Sequence, residues 1–152
     1  MLRYREWKYK CPDPPVEHKV TDIRLFSGNE EKIMLEFKPV LVRPGDEVLV
    51  GDWDYYDSFM IYQTDYDKLL TAELEAVFPV MDPDPHGWGL QELFDPCSDN
   101  WFGTEDWQRL IDRLTVCFDN AVEPEKEFYY AVLLRMRRFM EISTMFCIEG
   151  NL

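Results

Sequence analysis

The chain has 152 residues, with 30 Asp and Glu against 16 Lys and Arg, a net charge of -14, and 46% hydrophobic content. That length suits one domain with its own core, and the apolar content lies above that of a disordered chain. The sign of the charge argues against nucleic acid as a ligand, because a phosphate backbone is bound by concentrated Lys and Arg.

Taken in chain order, the first part predicts β-structure. Thr21, Ile23 and Leu25 alternate with Asp22 and Arg24, and Ile33, Leu35 and Phe37 alternate with Met34, Glu36 and Lys38. Period 2 is the pattern of half-buried strands, and Ser27-Gly28-Asn29-Glu30-Glu31 between them reads as a hairpin loop. A second strand pair, 40–42 and 48–50, flanks Arg43-Pro44-Gly45-Asp46, where Pro and Gly suit the central positions of a type II turn. Residues 58–63 form a further apolar run of strand length.

Helical spacing begins after Thr64, placed as an N-cap, with Tyr66, Leu70, Leu74, Val77 and Phe78 on one face and a stop at Pro79. Asp82-Pro83-Asp84-Pro85-His86-Gly87-Trp88-Gly89 reads as a surface loop, since its prolines lack donors and its glycines favour turns. A second helix starts at Thr104, with Glu105 and Asp106 against the positive end of its dipole. Its stripe is Trp107, Leu110, Ile111, Leu114, Cys117 and Phe118. A third starts with Pro124 at N1 and buries Tyr129, Val132, Leu133, Met136 and Met140, with Arg135, Arg137 and Arg138 near its end. Met145-Phe146-Cys147-Ile148 is too short for a helix and reads as a buried strand returning to the sheet. Strands first and helices afterwards predict an α+β fold, an antiparallel sheet of four to six strands covered by two or three helices in one domain, 1–152.

Charge is concentrated in the middle of the chain. Residues 51–107 hold one cation, Lys68, against fourteen carboxylates, so -13 of the total -14 falls there. The same stretch holds twelve of the twenty-three aromatics. Carboxylates mixed with large rings suit recognition of a basic protein, because rings supply contact area and a negative field steers the partner in. The residues singled out as partner-binding are Asp52, Trp53, Asp54, Tyr55, Tyr56, Asp57, Asp82, Asp84, Trp88, Asp99 and Trp101. The bland alternative is that the rings are core and the acids a solvated face.

Other chemistry finds less support. Asp52-Trp53-Asp54-Tyr55-Tyr56-Asp57 has alternating carboxylates but lacks the glycine and the bidentate glutamate of an EF-hand. Asp82, Asp84 and His86 alternate without a second imidazole at ligand spacing, so no metal and no cofactor is implied. Only His18 and His86 could serve a nucleophile such as Cys97, outside any local signature, and no catalytic residue is assigned. There is no GxGxxG, GxxxxGK[ST] or HExxH. Cys11, Cys97, Cys117 and Cys147 show no CxxC spacing and read as reduced, mostly buried thiols. No run approaches the roughly 20 apolar residues of a membrane span, and Met1-Leu2-Arg3-Tyr4-Arg5-Glu6-Trp7 has no apolar secretion segment, so a cytoplasmic location without a membrane partner is expected. Cys97-Ser98-Asp99-Asn100 reads as a turn leading Trp101 into the Thr104 helix.

Phe94-Asp95-Pro96-Cys97-Ser98-Asp99-Asn100-Trp101, Asp106-Trp107 on a helix, and the ending Ile148-Glu149-Gly150-Asn151-Leu152 together resemble short acidic proteins of bacterial toxin–immunity loci. The resemblance covers about a fifth of the chain. It implies a cytoplasmic protein that binds and blocks a cognate toxin, often a basic nuclease, with no catalytic residue. Two other readings stay open: a small carboxylate-based or metal-assisted hydrolase using the same segment, and a homo-oligomeric adaptor whose aromatic face forms a homodimer.

Overall fold

The computed structural model describes residues 20–40, 58–82 and 90–151. Three strands come first, β1 (Val20–Ile23), β2 (Ile33–Pro39) and β3 (Ser58–Tyr62). A helical segment α1 over 63–77 comes next, made of Gln63–Asp65, a π-turn at Tyr66–Leu70, and Thr71–Val77. Then come β4 (Asp99–Gly103), α2 (Thr104–Asn120), α3 (Glu125–Met140) and β5 (Met145–Gly150). The fold is α+β, as the element pattern predicts, with one sheet in the order β1-β3-β2-β5-β4.

The sheet is mixed rather than wholly antiparallel. The expected hairpin at 27–31 does not form, because β3 lies between β1 and β2 and runs parallel to β1. The cause is a long-range clamp. Asp65, three residues beyond β3, accepts hydrogen bonds from the backbone N–H of Leu25 (2.8 Å) and Phe26 (2.7 Å). The C-terminal ends of β1 and β3 are therefore held side by side. Ser27 Oγ accepts from the Asp65 N–H at 3.0 Å, and Glu31 from those of Thr64 (2.8 Å) and Gly28 (2.7 Å). Residues 27–31 thus cap α1 in place of Thr64, which sits inside the helix. The N–H groups of Gly28 and Thr64 also hold the Glu31 carboxyl below the usual carboxylate range.

The alternation expected of β2 holds for Leu35 and Phe37 but is broken by a bulge between Ile33 and Leu35, which sends Met34 into the core and leaves Ile33 half-buried; the sheet has two faces. Phe59, Phe37, Ile148 and Asn100 share one cross-strand row, and Ile23, Ile61 and Leu35 share the next, all turned toward the helices. Aromatic packing fills the layer between. Phe37 stacks on Phe59 with centroids 4.5 Å apart, Trp107 of α2 stacks on Phe146 at 4.6 Å, and Trp107 meets Phe102 edge-on at 5.6 Å. Trp107 Nε1 donates to the Met136 carbonyl at 3.1 Å, tying α2 to α3. The apolar stripes of α2 and α3 are buried as expected, apart from half-buried Cys117, Phe118 and Met140, while Phe128 and Phe139 join the core unforeseen. Pro124 is the N-cap of α3, one position before N1.

The π-turn admits both Leu69 and Leu70 to the core. A π-turn leaves carbonyls without their usual helical partner. Here the Thr71 hydroxyl serves Tyr66 (2.9 Å) and the Tyr129 hydroxyl serves Leu69 (3.0 Å).

β4 is a correction: residues read as a turn form an edge strand beside β5, which lies between β4 and β2. Gly150 lets the chain pack closely there, since a Cβ would lie 2.3 Å from the Pro96 carbonyl oxygen. The expected strand pair around Arg43-Pro44-Gly45-Asp46 lies outside the described residues except for buried Val40, and so does the Pro/Gly loop from Pro83 onward. Among the described cysteines, all free, only Cys147 is fully buried; Cys117 is half-buried and Cys97 exposed, because Cys97 lies in the turn before the edge strand.

Candidate functional site

The described carboxylates include three kinds. Asp65 and Asp106 are fully buried and structural. Asp106, in the first turn of α2, accepts from the N–H of Met81 (2.8 Å) and Asp82 (2.7 Å) and pairs with Arg109 at 3.1 Å. Asp82 returns the contact by accepting from the Asp106 N–H at 3.2 Å. The pair forms a capping box divided between two chain segments. Gly103 makes room for it, because a Cβ there would collide with the Asp82 side chain. Burial, and the neighbouring Asp106 charge, push the Asp82 carboxyl up, against the lowering effect of the Asp106 N–H.

The second kind lines a rim. Val80 N–H donates to the Gln91 carbonyl at 3.0 Å, closing the base from which the 83–89 stretch departs. Fully buried Asn100 organises residues 91–98. Its Oδ1 accepts from Gln91 Nε2 (2.6 Å) and the Asp95 N–H (2.7 Å), and its Nδ2 donates to the carbonyls of Asp95, Ser98 and Ile148. Asp95 in turn accepts from the Cys97 N–H and the Ser98 hydroxyl. The segment so fixed presents Leu93, 78% exposed, and Leu90, 54% exposed, beside Met81 at 55%. Exposed Glu92 and Asp95 stand among them, and no Lys or Arg occurs from 69 to 107. The braced segment thus groups exposed apolar and acidic side chains.

The third kind lies on the sheet face opposite the helices. Lys38 Nζ, on a buried side chain, lies 2.7 Å from Glu149 and 3.3 Å from Glu36, and the Ser58 hydroxyl donates to Glu36 at 2.6 Å. Burial alone would lower the Lys38 ammonium, but its bond to Glu149 and the charge of Glu36 hold it above the usual lysine value. A lysine kept protonated is no general base. Burial pushes the neighbouring Cys147 thiol well up, and burial with the Glu73 charge pushes the Cys117 thiol up, so neither is poised as a thiolate.

Of the residues singled out from the sequence, Asp52, Trp53, Asp54, Tyr55, Tyr56, Asp57, Asp84 and Trp88 lie outside the described residues, as do His18 and His86. Asp82 is half-buried in the split cap, and Asp99 is half-buried on β4 opposite Glu149. Trp101 is 5% exposed and lies in the sheet rather than on a docking surface. The other described rings of the middle segment, Phe59, Tyr62, Tyr66, Phe94, Phe102 and Trp107, are buried, with Phe78 half-buried and packed against the core. Among the described rings, then, the aromatic contribution to recognition gives way to core packing. Sequence reasoning missed the rim leucines and Met81, because isolated apolar residues in a non-periodic stretch carry no signal of exposure.

Among the described residues no group of three or more His, Cys, Asp or Glu could hold a metal ion, and no helix is long and apolar enough to cross a membrane. No protein-family model, curated protein or solved structure matches the chain.

Proposed function

We propose that the protein is a non-enzymatic acidic binding domain that docks on and blocks a basic partner, an immunity-type inhibitor of a cationic toxin or nuclease. The observation that carries this reading is the rim of Met81, Leu90 and Leu93 interleaved with Glu92 and Asp95, in a stretch from 69 to 107 without Lys or Arg. Exposed apolar side chains supply contact area, and uncompensated carboxylates steer a cationic protein into it. The rim also flanks Asp84 and Trp88 in sequence. Asn100 and the split cap stiffen the rim's backbone, which lowers the ordering cost of association.

A pull-down at low salt from cells that produce the protein should capture a basic protein whose activity the acidic chain inhibits. With that partner in hand, Glu92→Gln should slow association and flatten its dependence on salt, whereas Leu93→Ala should raise the dissociation rate about fivefold or more. Association rates insensitive to both salt and Glu92 would overturn the reading.

A further inference from the structure

We propose that the contact between Asp82 and the start of α2 is a proton-operated latch, closed while the Asp82 carboxyl carries a proton and loosened when that proton leaves. Two acidic side chains meet in this contact, and they are served unequally. Asp106 collects three donors, the N–H groups of Met81 (2.8 Å) and Asp82 (2.7 Å) and the Arg109 guanidinium (3.1 Å). Asp82 accepts only from the Asp106 N–H among the described residues, at a longer 3.2 Å. Two elements face it. β4 contributes Gly103, whose missing Cβ leaves the space that the Asp82 side chain fills, and α2 contributes the charges of Asp106 and Glu105. Arg109, the cation of this cluster, is paired with Asp106, and no Lys or Arg occurs from 69 to 107.

Ionising Asp82 in the closed contact places a further negative charge, half-buried, beside Asp106 and Glu105. Like charges at close range disfavour that form, whereas a protonated Asp82 becomes a donor to the Asp106 carboxylate. Closing the contact therefore raises the affinity of Asp82 for its proton, and by linkage the proton favours the closed contact. The sign follows: the contribution is fully present below the ordinary aspartate value and is lost as pH rises through the raised one. Because the Val80 N–H donates to the Gln91 carbonyl at 3.0 Å, residues 80–82 carry the base of the acidic rim with them. Acid clamps that base to α2, and neutral pH leaves it less firmly held. The latch belongs to this contact alone and holds whatever docks on the rim. Asn has the shape and neutrality of the protonated acid, so in Asp82→Asn the amide oxygen accepts from the Asp106 N–H, the amide nitrogen donates to the Asp106 carboxylate, and the latch stays closed at every pH.

The test uses the full chain and two NMR measurements from about pH 4 to about pH 8, a titration of the Asp82 side-chain carboxyl and hydrogen exchange of the Met81 and Asp82 amides, corrected for intrinsic rates. Asp82 should titrate above the ordinary aspartate value. Protection of the two amides should fall as pH rises through that point, by about tenfold for each unit by which Asp82 is raised. Asp82→Asn should abolish the fall, protect both amides better than the parent at neutral pH, and leave the neutral melting temperature no lower than the parent's. A plain capping carboxylate at a helix N-terminus predicts the reverse, a titration at or below the ordinary value and a loss of stability on neutralisation. Either of those results would overturn the proposal, as would parent protection that ignores pH, or a fall with pH that survives in Asp82→Asn.

Discussion

Removing the Asp106 carboxylate should unfasten the acidic rim from the core. In Asp106→Ala the backbone N–H groups of Met81 and Asp82 lose acceptors at 2.8 and 2.7 Å on a side chain that is itself fully buried. A hydrogen bond to a charged group contributes about 1.5–3 kcal/mol, and loss of the half-exposed Arg109 contact adds little. The expected loss of stability is therefore about 3–5 kcal/mol, or roughly 10 °C in melting temperature for a domain of this size. Urea unfolding followed by tryptophan fluorescence measures it, and hydrogen exchange of the Met81 and Asp82 amides locates it. Asp112→Ala, on the exposed side of the same helix, serves as the control and should change stability by less than about 0.5 kcal/mol. A loss below about 1 kcal/mol for Asp106→Ala, or unchanged exchange at 81 and 82, would refute the split-cap argument.

The Glu31 carboxyl is lowered in the folded chain, so the native state binds fewer protons than the unfolded state in the acid range, and this contribution is present above the usual glutamate value and lost as pH falls through the lowered one. Urea midpoints of Glu31→Gln should accordingly lie below those of the parent at neutral pH and converge with them on acidification; a gap that persists in acid would contradict this. Gly150→Ala should cost about 1–3 kcal/mol, because the new methyl would meet the Pro96 backbone rather than a side chain that can swing away, and thermal unfolding reads the loss directly. Timed alkylation with mass spectrometry should label Cys97 well before Cys147, which reacts only after unfolding, since the first is exposed and the second fully buried in β5.

Much of the secondary structure could be read from residue spacing. The existence of β2, the apolar run of β3, the stripes of α2 and α3 and the returning strand β5 all rest on local pattern, whereas the bulge that turns Met34 rather than Ile33 into the core does not. β4 escaped because Asp99-Asn100-Trp101-Phe102-Gly103 opens with turn-favouring residues, and its pairing with β5 lies nearly fifty positions away. The misplaced hairpin has the same origin. Ser27-Gly28-Asn29-Glu30-Glu31 has turn chemistry, but whether a turn joins neighbouring strands or caps a distant helix depends on Asp65, far along the chain.

The candidate site divides along the same line. Its charge belongs to the sequence alone: residues 51–107 are acidic however the chain folds, because a count of ionisable groups needs no coordinates. Which acids face solvent is another matter, decided by packing. Asp65 and Asp106 turn inward and accept from backbone N–H groups of distant segments, whereas Glu92 and Asp95 remain outside. The described rings of the same stretch are buried or half-buried instead, since burying a large apolar surface outweighs leaving it exposed. That β3 lies beside β1 and that α3 packs against β1 are outcomes of long-range contacts that no local spacing encodes.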